Sequence, residues 1–248
     1  MKAMILAAGL GTRLQPLTDD RPKALVEVAG RTLLEITLIR LRSFGVSEVI
    51  VNVHHFADMI VEYLKKNDNF GMRIEISREE DLLDTGGGLK KAAHFFIASA
   101  NDSETPFVVH NVDVISTIDL NRMARFHTEN QALATLAVQD RETSRYLLFD
   151  QQLRLCGRQS GQDQKAEMVR PSEHIQRLAF SGIHVVSPAL FPLMKEEGAF
   201  SITDAYLNLA AKRADIVGFR ADEYYWRDVG SLSSLRQTAE DLAQQAFE

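Results

Sequence analysis

The sequence predicts an α/β fold with a mostly parallel mixed central sheet and a small antiparallel β appendage. Three observations predict it. Short, wholly apolar runs recur through the first half, as in strands buried on both faces. Segments with apolar residues at helical spacing alternate with those runs, which implies βαβ units. After about Ala132 the pattern changes to short β-like pieces joined by polar turns, which suggests hairpins.

Taken in order, Met4-Ile5-Leu6-Ala7-Ala8 is a buried strand ending at glycine. Between Arg31 and Phe44, Leu34, Leu38 and Leu41 form one stripe of an amphipathic helix, and Gly45 follows as its stop. Val49-Ile50-Val51 with Val53 reads as a second strand, Ala57 to Lys66 as a helix and Arg73 to Ser77 as a strand. A helix over about Gly88 to Ile97 precedes the strand Phe107-Val108-Val109. In the second half, Leu133 to Val138, Tyr146 to Phe149 and Leu153 to Cys156 are the hairpin pieces, and Gly157 to Glu173 is a polar loop. A long strand near Leu178 to Val186, a helix from about Thr203 and a strand over Ile216 to Phe219 follow. Leu232, Leu235, Ala239 and Leu242 mark a final helix.

Bulk properties limit the function. A chain of 248 residues with 45% apolar content can bury the core of one large domain. The formal charge of −6 argues against a duplex-binding surface, so no nucleic-acid partner is expected. No apolar run approaches the roughly 20 residues that span a bilayer, and glycines break the faintly signal-like MKAMILAAGLG start. The single cysteine, Cys156, rules out an internal disulfide and fits a reducing compartment. A cytoplasmic protein with no membrane partner is expected.

The first bend after the opening strand, AAGLGTRLQPLTDDRPKAL over residues 7–25, has the parts of a polyphosphate clamp. Gly9 and Gly11 let backbone N–H groups converge on an anion, and Arg13 adds a charged fork suited to phosphate. Pro16 and Pro22 stiffen the loop, and Lys23 returns a second positive charge. Leu14 stands where a dinucleotide G-x-G-x-x-G loop needs its third glycine, and no Gly-Lys pair exists for a P-loop. On spacing alone, an ordinary bend explains the stretch about as well.

The complete string closely resembles the signature of the sugar-1-phosphate nucleotidyltransferases, L-A-A-G-x-G-x-R-[LM]-x-P-L-T followed by P-K-[PA]-[LM]. Every specified position is met between Leu6 and Leu25. The resemblance implies a Rossmann-like three-layer sandwich of one catalytic domain, with a nucleotide-binding half over about 1–131 and a sugar-binding half over about 132–248. It implies that Gly9 and Gly11 hold the triphosphate, with Leu6, Ala8 and Thr12 beside them. Arg13 then supports the leaving pyrophosphate and Lys23 contacts phosphate.

Later segments extend the likeness. Asp84-Thr85-Gly86-Gly87-Gly88, expected just before a helix, resembles the family's base and ribose contact at Thr85, Gly86 and Gly87, and Glu79 sits where a base edge is read. Read alone, it is a loop with a helix cap. In His110-Asn111-Val112-Asp113, the family's aspartate binds the divalent metal, and Asn111 faces the sugar. Trp226-Arg227-Asp228-Val229-Gly230-Ser231 matches W-x-D-V-G-[TS], which makes Asp228 the second ligand of a Mg²⁺ ion. Trp226 by itself reads as a core residue, and His110 as packing rather than a ligand. Phe180-Ser181-Gly182-Ile183 resembles the strand that meets the sugar ring, through Ser181 and Gly182. Ile202-Thr203-Asp204 echoes a further sugar contact at Asp204, which could equally cap its helix.

Three departures stand out. Val112 occupies a position where the family usually has glycine, Ser201 replaces a glutamate, and no Glu-Lys-Pro triplet supplies the lysine for the sugar phosphate. Lys165 and Arg170 are the substitutes that the sequence offers. The implied activity is transfer of a nucleoside monophosphate from a nucleoside triphosphate to a sugar 1-phosphate, with release of pyrophosphate. T-G-G-G, F-S-G-I and W-x-D-V-G look most like the N-acetylmuramate-1-phosphate uridylyltransferases of cell-wall recycling. The GTP-dependent mannose-1-phosphate guanylyltransferases are nearly as similar, and a catalytically weak nucleotide-sugar-binding module is the remaining alternative. The chain stops soon after its last helix, so no β-helical extension is expected; monomer and homodimer both remain open.

Overall fold

The computed structural model describes residues 1–98, 105–160 and 165–244. Strand β1 (Lys2–Leu6) runs into the glycine-rich bend, and a short hairpin, β2 (Glu27–Val28) and β3 (Arg31–Thr32), leads to helix α1 (Leu33–Ser43). Then come β4 (Glu48–Val53), α2 (Ala57–Lys66), β5 (Arg73–Arg78), α3 (Asp84–Lys91), α4 (Ala93–Phe96), β6 (Phe107–Asn111) and β7 (Val114–Ser116). The second half runs α5 (Leu120–Glu129), β8 (Ala134–Gln139), β9 (Arg145–Phe149), β10 (Leu155–Ser160) and β11 (Ala166–Met168). It closes with β12 (Gln176–Val186), α6 (Ile202–Ala211), β13 (Ile216–Arg220), β14 (Trp226–Asp228) and α7 (Leu232–Ala243).

β5, β4, β1 and β6 lie side by side and parallel. β12 enters antiparallel beside β6, and β8 and β13 restore the common direction beyond it. β12 is long enough to pair with β9 as well, which leads out into the antiparallel β9–β10–β11 appendage. The predicted mixed sheet with its appendage is therefore present. Alternate residues of each strand feed two cores: Ala3, Ile5, Val49 and Val51 one layer, Met4, Ile50, Phe107 and Val109 the other. That two-sided burial explains why these strands read as unbroken apolar runs. Thr32 caps α1 by accepting from the Glu35 N–H at 3.1 Å, so the helix starts at Leu33, two residues inside the predicted segment. No helix among the described residues is long and apolar enough to cross a membrane.

Three local expectations need correction. The helix expected over Gly88 to Ile97 begins at Asp84 instead and breaks at Ala92 into α3 and α4. Its glycines are helical because the Gly86 and Gly87 N–H groups both donate to the Phe200 carbonyl, which anchors the first turn. The polar stretch Gly157 to Glu173 is partly a hairpin, Gly157 pairing with Met168; its residues 161–164 lie outside the described residues. Helix α5 has no counterpart in the periodicity reading. Asp119 caps it, and its buried stripe is Leu120, Met123 and His127, where the histidine dilutes the apolar signal.

Candidate active site

The site lies at the carboxyl ends of β1 and β6, whose last residues, Leu6 and Asn111, are register partners. β4 flanks β1 on its other side, so chain connections leave in opposite directions and open a crevice there. A first cleft of about 430 Å³ is lined by Leu6, Ala8, Gly9, Lys23, Glu79, Thr85, Asn111 and Asp113, eight residues singled out from the sequence. Gly11 is left-handed at φ 68° and caps the 3₁₀ turn that carries Thr12 and Arg13; of the predicted phosphate-loop residues, these three do not line the cleft. Gly86 and Gly87 are not on the cleft wall. Both are buried in α3 with their N–H groups spent on Phe200, while Thr85 accepts from the Ile202 N–H at 3.0 Å.

Asn52, which the sequence reading passed over, holds this cleft together. Its Oδ1 accepts from the Ala7 N–H at 2.7 Å, and its Nδ2 donates to Glu79 Oε1 at 2.7 Å. The other Glu79 oxygen accepts from the Leu83 N–H at 3.0 Å. Glu79 is buried, and its carboxylate braces the start of the bend against the approach to α3. The available signal was an asparagine inside the apolar run Val49-Ile50-Val51-Asn52-Val53. A buried polar group in such a strand must find a partner, and here it finds two.

The two aspartates meet because of a three-residue pairing. β14 runs antiparallel to β7 with Asp228 opposite Val114, and the Val229 N–H donates to the Asp113 carbonyl at 2.7 Å. Val112, standing in place of glycine, is buried and donates its N–H to the Leu6 carbonyl, so the turn still presents Asp113 to the cleft. Asp113 forms an ion pair with Lys23, and both side chains are largely buried. Asp228 Oδ1 is buried and accepts no hydrogen bond. A methyl group on Gly230 would stand 2.4 Å from Asp228 Oδ1 and 2.6 Å from Arg13 Nη2, so only glycine lets both side chains converge there. Arg13 thus reaches from the bend to the β14–α7 turn. No group of three or more His, Cys, Asp or Glu side chains able to hold a metal occurs among the described residues. Any cation here would therefore depend on these two carboxylates and on ligand oxygens.

A second cleft of about 460 Å³ opens on the far side of Asn111, which lines both. Its walls include Ser181, Gly182, Trp226, Asp228 and the arginines Arg141, Arg145 and Arg158. Gly182 has φ +70°, and a Cβ there would lie 2.8 Å from Asn111 Nδ2; the register slips between Phe180 and His184 to make this bend. Trp226 packs against the core as expected but is only half-buried: it also lines the cleft and donates its Nε1–H to the Ser181 carbonyl at 2.7 Å. Asp204 does not line the cleft but pairs with Arg158. Ser201, not Asp204, caps α6, accepting from the Thr203 N–H at 3.2 Å. Of the offered lysine substitutes, Arg170 is buried elsewhere, donating to the Ala214 carbonyl, and Lys165 is exposed beside β11. Neither lines this cleft.

His110 lies beneath the junction, fully buried, with its Nδ1 bonded to the Asn111 carbonyl at 2.8 Å. Burial lowers its pKa to about 4 and that of His184, on the neighbouring strand, to about 3. Both are neutral packing groups, as expected of His110.

A family model described as nucleotidyl transferase matches residues 2–245. An N-acetylmuramate alpha-1-phosphate uridylyltransferase from Caulobacter vibrioides is 48% identical over 116 residues, 46% of each chain. A mannose-1-phosphate guanyltransferase from Yarrowia lipolytica is 31% identical over 232 residues, 93% of this chain and 61% of the relative. The matches thus span about half to three-fifths of the length of these curated relatives. Among solved structures, a UDP-glucose pyrophosphorylase complexed with UDP-glucose superposes with a TM-score of 0.78 at 17% identity, over 98% of both chains.

Proposed function

This chain belongs to the nucleotidyl transferase family, and we propose that it transfers a nucleoside monophosphate from a nucleoside triphosphate to a sugar 1-phosphate. The observation that carries the proposal is the meeting of two clefts at Asn111, with Asp113 on one wall and Asp228 on the other. A triphosphate in the first cleft would lay its α-phosphate at that junction, where a sugar phosphate in the second could reach it. A phosphate oxygen of the sugar attacks the α-phosphorus, the bond to the bridging α–β oxygen breaks, and pyrophosphate carries away the negative charge. Such transfer needs positioning and charge neutralisation rather than a protein nucleophile. Lys23 supplies positive charge on the wall of the first cleft, and Arg13 supplies it beside Asp228 at Gly230.

The residues fit a divalent cation. Asp228 Oδ1 is a buried carboxylate oxygen with no donor, one strand register from Asp113. Asp228 is half-buried with Arg13 converging on it at Gly230, and its Oδ1 keeps a lone-pair site that no hydrogen bond uses and that a cation could take. Asp113 and Asp228 would hold Mg²⁺ together with phosphate oxygens, and the ion would neutralise charge at the α-phosphate. Lys23, which pairs with Asp113 in this structure, would then be free to contact phosphate.

UTP and N-acetylmuramate 1-phosphate are the substrates we assign, on the 48% identity to the uridylyltransferase. The longer match to a guanyltransferase supports GTP and mannose 1-phosphate as the second pairing. The buried free thiol of Cys156 agrees with work in the cytoplasm. A matrix of four nucleoside triphosphates against a set of sugar 1-phosphates with MgCl₂, read by pyrophosphate release, tests the activity and selects the pair. Absence of release in every well defeats the proposal.

A further inference from the structure

The second cleft contains three arginines, but they are not equivalent. Arg158 is already neutralised by Glu167 at 2.7 Å and by Asp204. Arg145 is exposed on β9. Arg141 alone is built into the wall. One Nη2–H donates to the Phe180 carbonyl at 2.9 Å, and the guanidinium carbon lies 3.6 Å from the centre of the Trp226 ring. Trp226 is itself fixed to Ser181 by its indole N–H. The Arg141 Nε is buried without an acceptor, and among the described residues no salt bridge joins the side chain to a carboxylate, although the charge of Asp228 acts on it. The group is held flat on an aromatic face, on the same wall as Asp228, with donors left unspent. A stacked guanidinium presents its remaining N–H fork at one fixed angle, which suits a tetrahedral oxyanion better than a mobile lysine does.

We propose that Arg141, stacked on Trp226, is the phosphate anchor of the acceptor sugar 1-phosphate, taking the place of the lysine that the missing Glu-Lys-Pro segment does not provide. The inference rests on the reaction proposed above. It assigns neither Lys165 nor Arg170, because neither reaches the cleft. Binding in this place holds the attacking oxygen beside Asp228, between the two clefts. Burial lowers the Arg141 pKa, the charge of Asp228 opposing that fall, and an arriving phosphate would add a second stabilising partner.

The test uses the whole chain with the substrate pair that releases the most pyrophosphate, comparing the wild type with Arg141→Gln and Arg141→Lys. Thermal melts establish that both variants are folded. Arg141→Gln is expected to raise KM for the sugar 1-phosphate by 30-fold or more and to leave KM for the nucleoside triphosphate within about threefold; Arg141→Lys recovers part of the loss. An unchanged sugar KM, or an equal rise in both constants, overturns the assignment. Calorimetric titration of α-D-glucose 1-phosphate and of the selected sugar 1-phosphate separates this inference from the reaction itself. Binding by the wild type that Arg141→Gln loses upholds the anchor even if no pyrophosphate is released. Binding that survives the substitution, or no binding of either sugar phosphate by the wild type, refutes it.

Discussion

The two clefts share Asn111 but are made in different ways. The first is walled by the end of β1, a continuous bend and the start of α3, and is braced by the Asn52–Glu79 bonds. The second gathers side chains from β9, β10, β12, β14 and the loop after β8, which are far apart along the chain. The first includes one contiguous run, Leu6 to Gly9, beside its more distant walls, whereas the second is assembled from scattered side chains. A contiguous run needs a fixed local path, so it is written as a motif. An assembly of side chains needs only that each partner reach the same space, and many sequences satisfy that.

The sharpest way to break this comparison is to remove the carboxylates where the clefts meet. Asp113→Ala and Asp228→Ala are each expected to lower pyrophosphate release by roughly a thousandfold or more, about 4 kcal/mol of barrier. Near-normal turnover in either variant would dissolve the idea of one shared catalytic junction.

Acid should loosen the seam beneath both clefts next. His110 and His184 titrate near 4 and 3 in the fold, against about 6.5 in an unfolded chain. Above pH 6.5 both states hold these rings neutral, and the buried histidines cost nothing. As pH falls below 6.5, only the unfolded chain takes up the protons, so stability drops until the folded values are reached. The loss between pH 7 and pH 5 is expected to be roughly 2 kcal/mol per histidine, read as a falling urea midpoint. A flat midpoint across that range contradicts the buried, neutral assignment.

Gly230→Ala separates convergence from folding. The atoms it would strike are the ends of the flexible Asp228 and Arg13 side chains, so the fold can yield at little cost. Activity should fall roughly 10- to 100-fold, about 1–3 kcal/mol in barrier, while Tm changes by less than about 3 °C. A drop in Tm without a drop in rate would reverse that reading.

The smallest effect is expected on the first cleft's brace. Glu79→Gln keeps one acceptor for the Leu83 N–H but sets an amide NH2 against the Asn52 Nδ2 donor, so the Asn52 bond is lost. We expect a loss of about 1 kcal/mol in stability, together with a rise of several-fold in KM for the triphosphate and none for the sugar phosphate. Equal changes in both constants would show that the clefts are not separately supported.

Particular residues show how far the sequence could be read. The strands with unbroken apolar runs were legible because both faces are covered, and Leu6 to Lys23 was legible because one loop carries all its parts. α5 escaped because His127 sits in its buried stripe, and β7 and β14 escaped because three residues are too few for periodicity. Trp226 was legible only in part: an indole's preference for burial foretells its packing against the core, but not that its ring will also carry an arginine on the cleft wall.

The sequence by itself determined the alternation of buried strands and helices, the glycine-rich bend and its charges, because each depends on neighbours only a few positions away. Only the tertiary structure decided that Asp113 and Asp228 adjoin, that Glu79 is a brace, and that Arg141 rather than Lys165 or Arg170 stands in the second cleft. Those facts depend on strand pairing between residues more than a hundred positions apart and on which charges find partners, and neither is written in local spacing.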